Sequence, residues 1–166
     1  MKAIVKKNVL PFWMLALLTV GLVSCEEKHI SELPAFAGFR VTPTTWHSGD
    51  SVTVTAVQRS QGNLLFKAKY SWSVACQDTT FSKTYQVVYD NDKSDPNISF
   101  RIPQNITGNA SISFTAEYHY SATAPTSIPT ASTGGDGLIG SIGSPSNSTL
   151  YGKCSGSASM TILPAE

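Results

Sequence analysis

Nearly every apolar run after residue 50 repeats with a period of two. In Asp50–Val57, Val52, Val54 and Ala56 alternate with Thr53 and Thr55, and in Lys67–Cys76, Ala68, Tyr70, Trp72, Val74 and Cys76 alternate with Lys67, Lys69, Ser71 and Ser73. The same rhythm carries Ile98, Phe100 and Ile102, then Ile112, Phe114, Ala116, Tyr118 and Tyr120, and finally Ala158, Met160 and Ile162. Successive side chains of a strand point to opposite faces, so each run is a strand with one buried and one wet face. No segment after the first 25 residues sustains a period of 3.6. Turn chemistry separates the runs: Ser48-Gly49-Asp50, Gln61-Gly62-Asn63, the Asp90–Asn97 stretch with Pro96, and Thr107-Gly108-Asn109. With Phe36–Val41 and Thr84–Tyr89 added, the pattern predicts about seven strands and an all-β, two-sheet antiparallel sandwich over 38–166. Charged residues make up only 14% of the 166, which excludes a Lys/Glu-rich helical bundle. A formal charge of +1 argues against a nucleic-acid binder, which would need a basic patch.

The N-terminus is organised differently. Lys2, Lys6 and Lys7 precede an apolar run from Val9 to Val23, interrupted by Pro11 and short for a membrane-spanning helix. This is the layout of an export signal over 1–24, with a retained N-terminal anchor as the alternative. Leu22-Val23-Ser24-Cys25 resembles the bacterial lipobox. The resemblance implies cleavage before Cys25, a diacylglycerol on its thiol and a membrane-lipid anchor of two or three acyl chains. Removing residues 1–24 takes Lys2, Lys6 and Lys7 from the twelve basic residues and nothing from the eleven acidic ones, which leaves a net −2. Glu26-Glu27 resembles the acidic export tag behind the lipid cysteine of Bacteroidota surface lipoproteins, which implies an outer-membrane location and surface display. The stretch 25–37 reads as a lipidated tether.

The order of elements also resembles an immunoglobulin-like or PKD-like sandwich: an entry strand ending near Thr42-Pro43, then Trp46-His47-Ser48-Gly49-Asp50 opening the next strand, then the strand bearing Trp72. The glycine-aspartate motif that follows the tryptophan strand in PKD domains is missing here, as is a cysteine ahead of Trp72.

With Cys25 given to lipid, Cys76 and Cys154 remain. Each has the parity of a buried face, and export leads to an oxidising compartment, so the expectation is a disulfide between them. It would close a loop of about 80 residues, worth about 4 kcal/mol. Two buried free thiols are the alternative.

The segment 121–149 is rich in Ser, Thr, Gly and Pro, too long for an ordinary connection and too polar to offset its ordering entropy by burial. It is expected to be flexible, with Leu138, Ile139 and Ile142 as candidate binding residues, or else to be a spacer. Trp46, outside the clean alternations, is a candidate sugar-stacking surface or a cap on the core.

No catalytic or dinucleotide motif is present, and His29, His47 and His119 have no recognisable nucleophile and acid beside them. Asp90 and Asp92 form a weak calcium candidate, since the EF-hand glycine and glutamate positions hold Asp95 and Arg101 instead. Asp50-Ser51-Val52 and Asp78-Thr79-Thr80 resemble Bacteroidota O-glycosylation acceptors. The expectation is a non-enzymatic module without a cofactor that binds a glycan or a surface protein, or alternatively an accessory subunit of an envelope assembly.

Overall fold

The structure, a computed structural model, describes residues 29–131, 135 and 137–165; the leader 1–24, Cys25 and Glu26-Glu27 lie outside them. The chain is all-β. In chain order the strands are β1 (Ala35–Thr42), β2 (Trp46–His47), β3 (Ser51–Ser60), β4 (Leu65–Cys76), β5 (Thr79–Val87), β6 (Asn97–Arg101), β7 (Gly108–Tyr120), β8 (Ser141–Ile142), β9 (Ser146–Asn147) and β10 (Tyr151–Leu163). They form two sheets: a small one ordered β1-β3-β6, and a large one ordered β2-β10-β7-β4-β5 with β8 and β9 also paired to β10. All pairings between these strands are antiparallel except β2 with β10, which is parallel at Trp46–Ile162 and His47–Leu163.

The inner faces meet on one aromatic core. Phe36 and Phe39 of the small sheet make edge contacts with Phe114 of the large one, at 5.6 and 6.2 Å between ring centroids, and Trp72 packs on Phe114 at 4.5 Å. Edge and offset arrangements suit the ring quadrupoles and add to the burial term. Phe36 and Phe39 are an odd number of residues apart, so a regular strand would send them to opposite faces. A register shift between Phe36 and Gly38 restores both to the core. A second shift, between Leu65 and Lys67, keeps Leu65 and Ala68 inside and leaves Phe66 exposed.

The chain joins the domain earlier than the tether reading of 25–37 expects. Ile30 bridges Thr123, Glu32 bridges Asn63, and the buried Ser31 hydroxyl donates to the Leu64 carbonyl at 2.6 Å. Leu33 is buried against Gly152, where any Cβ would stand 2.6 Å from its methyl groups.

The expected disulfide is absent: Cys76 and Cys154 are buried free thiols. Both do face the core, as their parity predicts, but register keeps them apart. Cys76 lies opposite Ala110 and Cys154 opposite Ala116, on either side of β7. Six residues of strand separate those levels by about 20 Å, whereas a disulfide needs Cα atoms within about 7 Å. Parity fixes the face of a residue and says nothing about its height along the strand.

Candidate functional site

The segment 121–149 is tied to the domain at several points. Ser121 donates its N–H to Leu64, Asn147 Nδ2 to the buried Pro125 carbonyl at 2.8 Å, and Arg59 Nη2 to Thr130. The Tyr120 hydroxyl bonds Asn147 Oδ1. Backbone and side-chain hydrogen bonds supply what its composition cannot supply by burial. The candidate binding residues therefore need revision. Ile142 is buried in the core, Ile139 is half-buried and paired with Phe39, and Leu138 is half-buried beside it. Trp46 is wholly buried, packs edge-on against Phe100 at 5.8 Å and donates Nε1–H to the Pro43 carbonyl at 3.2 Å. It caps the core and has no face to offer a sugar.

Asp90 and Asp92 do not converge. Asp90 pairs with Lys93 at 3.5 Å, while Asp92 accepts both the N–H and the hydroxyl of Ser94, which lower its pKa. Among the described residues no three metal-ligating side chains gather. At the opposite end, His47, Ser48 and Asp50 line a cleft of about 340 Å³ with Arg101. Ser48 donates its hydroxyl to the Ile106 carbonyl at 2.6 Å, and Asp50 Oδ2 accepts the His47 N–H at 2.8 Å. These groups are committed to the backbone, so the serine is not poised as a nucleophile. The two acceptor-like hydroxyls are reachable, with Ser51 exposed and Thr79 half-exposed.

What pairing of strands by parity alone did not reveal is the outer face of the large sheet. Register aligns its polar positions into rows. One row holds five serines across five strands: Ser82, Ser73, Ser113, Ser157 and Ser141. The next holds Thr84, Ser71, Thr115 and Ser155, with Thr84 Oγ1 bonded to Ser71 Oγ at 3.3 Å. A row further on, charge appears: Gln86, Lys69, Glu117, Lys153 and Ser146 lie in line. Beyond it Lys67 and Tyr151 flank His119, whose ring lies 6.0 Å from that of Tyr151.

Glu117 turns to His119, Oε1 to Nε2 at 3.0 Å, rather than to either lysine beside it. Among the described residues no carboxylate comes within ion-pair distance of Lys67, Lys69 or Lys153. A shallow depression of about 390 Å³, lined by Ser141, Gly143, Ser155, Gly156 and Ser157, opens on the same face. The loop builds part of it, since Ser141 points outward and Ile142 inward. The alternating Lys, Ser and Thr of β4 and β7 carried this signal in the sequence. Only the register between strands turns it into a surface.

Comparison with known protein families, characterised proteins and solved structures found no match to this chain.

Proposed function

We propose that the chain is a lipid-anchored, non-catalytic module of the cell envelope, an immunoglobulin-like sandwich that binds an extracellular glycan on the outer face of its large sheet. Its strand order supports the topology. A three-strand sheet of β1, β3 and β6 opposes β10-β7-β4-β5, and the short β2 runs parallel to β10. The lipobox-like Leu22–Cys25 supports acylation, and Glu26-Glu27 supports surface display from the outer membrane.

One observation carries the binding reading: rows of aligned hydroxyls adjoin three lysines that have no carboxylate partner among the described residues. Hydroxyl rows donate to and accept from sugar hydroxyls, the exposed Tyr151 ring offers an apolar surface to a pyranose, and the lysines suit uronate or sulfate groups. The test is a glycan array probed with the full chain, then with Lys69→Glu/Lys153→Glu and with Ser113→Val. The double charge reversal is expected to weaken binding to acidic glycans at least about tenfold, equivalent to about 1.4 kcal/mol. Undiminished binding by both variants would remove this face as the site. Silence on the array combined with capture of envelope proteins would favour an accessory subunit. Deleting 121–149 is not a clean alternative, because Ile142 belongs to the core.

A further inference from the structure

The large apolar side chains left in solvent are not scattered. Among the described residues they are Phe66, Val88, Ile128, Leu150, Tyr151 and Leu163, and all but Leu163 lie at one end of the two sheets. Phe66 and Leu150 are the most exposed, at 62% and 72%. Their placement follows from local structure. The register shift at the start of β4 leaves Phe66 outside, Leu150 sits at the turn into β10, and Val88 follows the end of β5 beside Phe66. Ile128 borders a cleft with Glu32, Leu33 and Gln61 at the same end. Exposed apolar residues are ordinary when single, but a rim of them at one end marks an interaction surface.

The N-terminal segment enters at this end too. The Ile30–Thr123 and Glu32–Asn63 bridges fix the chain against the loops that carry the rim. Counting from Cys25, five residues reach Ile30, and five residues span at most about 18 Å. We infer that this end of the domain rests on the lipid bilayer, with Phe66, Val88, Ile128, Leu150 and Tyr151 entering the headgroup region. The inference rests on the reading of Cys25 as the lipid anchor.

The flanking chemistry fits a lipid surface. Tyr151 has the amphipathic ring favoured at membrane interfaces, and Lys67, Lys69 and Lys153 stand just behind the rim, where long stems let ammonium groups reach phosphates. Acidic groups share this end: Glu32, Glu117 held by His119, Asp90 held by Lys93, Asp92 held by Ser94, and Asp95, which accepts the Gln58 N–H. With the charges mixed, apolar insertion rather than attraction to anionic lipid drives the contact, so it survives added salt. The hydroxyl rows of the proposed glycan face run up the side of the sheet away from the rim, and Tyr151 and the three lysines stand where the two surfaces meet.

The test places single tryptophans in the full chain and reads their quenching by vesicles of phosphatidylethanolamine and phosphatidylcholine with brominated acyl chains. Every variant also carries Trp13→Phe, so that the buried Trp46 and Trp72 give a constant background. Phe66→Trp and Leu150→Trp are expected to lose emission at least about twofold, with Leu163→Trp at the opposite end unchanged. If the protein floats with the vesicles but the rim tryptophans keep their emission, docking is overturned and anchoring stands. If it does not float, the anchor reading falls and docking with it. Equal quenching at all three positions overturns the orientation. An unquenched rim that instead crosslinks to a second protein assigns this end to a protein partner and overturns the bilayer.

Discussion

Phe39 and Ile139, a hundred residues apart, exchange both backbone hydrogen bonds, at 3.0 Å from Phe39 N–H and 2.8 Å from Ile139 N–H. Phe39 lies on β1, an edge of the small sheet, and three residues after Ile139 the loop pairs Ile142 with Gly156 on β10. The loop therefore laces the two sheets together along one open side. On the other side the lacing uses side chains. Phe81 stacks on Phe100 at 4.5 Å, and the Tyr85 hydroxyl accepts the Asn97 N–H of β6 at 3.0 Å.

Gly140 is the pivot of the first lacing. Its φ is +63°, and an added Cβ would stand 2.3 Å from the Ser157 carbonyl oxygen and 2.5 Å from Ala158 Cβ. Gly137 also has a positive φ, +76°, but open space around it. Gly140→Ala should cost about 2 kcal/mol or more in urea unfolding, and Gly137→Ala about 1 kcal/mol, the conformational part alone.

Lys83 guards a border. Among the described residues no strand pairs with the outer edge of β5. Lys83 sits on the row of Phe81 and Tyr85, with Nζ 4.7 Å above the Tyr85 ring and 3.4 Å from the Asn97 carbonyl. An inward charge on an edge strand opposes pairing with a second molecule. Lys83→Val should shift sedimentation toward larger species than the parent chain shows, and an unchanged profile would count against this role.

Three buried tyrosines offer a contrast. The Tyr89 hydroxyl accepts the Gly62 N–H at 3.2 Å and donates to Gln58 Oε1 at 2.8 Å, whereas the buried Tyr70 and Tyr118 hydroxyls find no partner of hydrogen-bond geometry among the described residues. Tyr89→Phe strands a buried donor and should destabilise by about 1–2 kcal/mol. Tyr70→Phe removes an unsatisfied group and should be neutral or stabilising in the same assay.

Alkali should unfold the domain before it reacts with the core. Burial pushes Tyr89 and Cys154 each up to about 12 and Tyr118 well above its ordinary value. In the unfolded chain these groups release protons at about 8.5 for the thiol and about 10 for the phenols. The unfolded state thus loses protons first, and rising pH draws the equilibrium toward it. Stability should be full below about pH 8.5 and fall towards pH 12, by up to about 1.4 kcal/mol per pH unit for each group titrating.

The thiols give a direct check on the register of the large sheet. Thermal unfolding with and without reductant should coincide, and Cys76 and Cys154 should react with a thiol reagent only as the domain opens. A midpoint lowered by reductant would mean the two strands lie in a different register.

Much of this architecture was legible beforehand, because alternation is a local property. Val52, Trp72, Phe114 and Ile162 announce their face from their neighbours alone, and all are buried. Where the alternation breaks, so does the legibility. The shift at Gly38 that brings Phe36 and Phe39 together depends on pairing with β3, and Ile142 is drawn into the core by a glycine on β10. The candidate face was in plain view as Ser and Lys on β4 and β10 and Ser and Thr on β7. It gains meaning only from heights along the strands, the same quantity that separates Cys76 from Cys154.

The last long strand has a consequence for how the chain reaches its folded state. β10 pairs with β7 from Tyr151 to Ile162 and with β2, β8 and β9 on its other border. Until residues 151–163 arrive, β7 has a bare edge, the loop has nothing to lace to and β2 has no neighbour. Such distant pairings form slowly, because loop closure must be met before contacts reward it. A chain built this way cannot complete its large sheet until its last strand has been synthesised. That is the condition in which a polypeptide can still be threaded across a membrane.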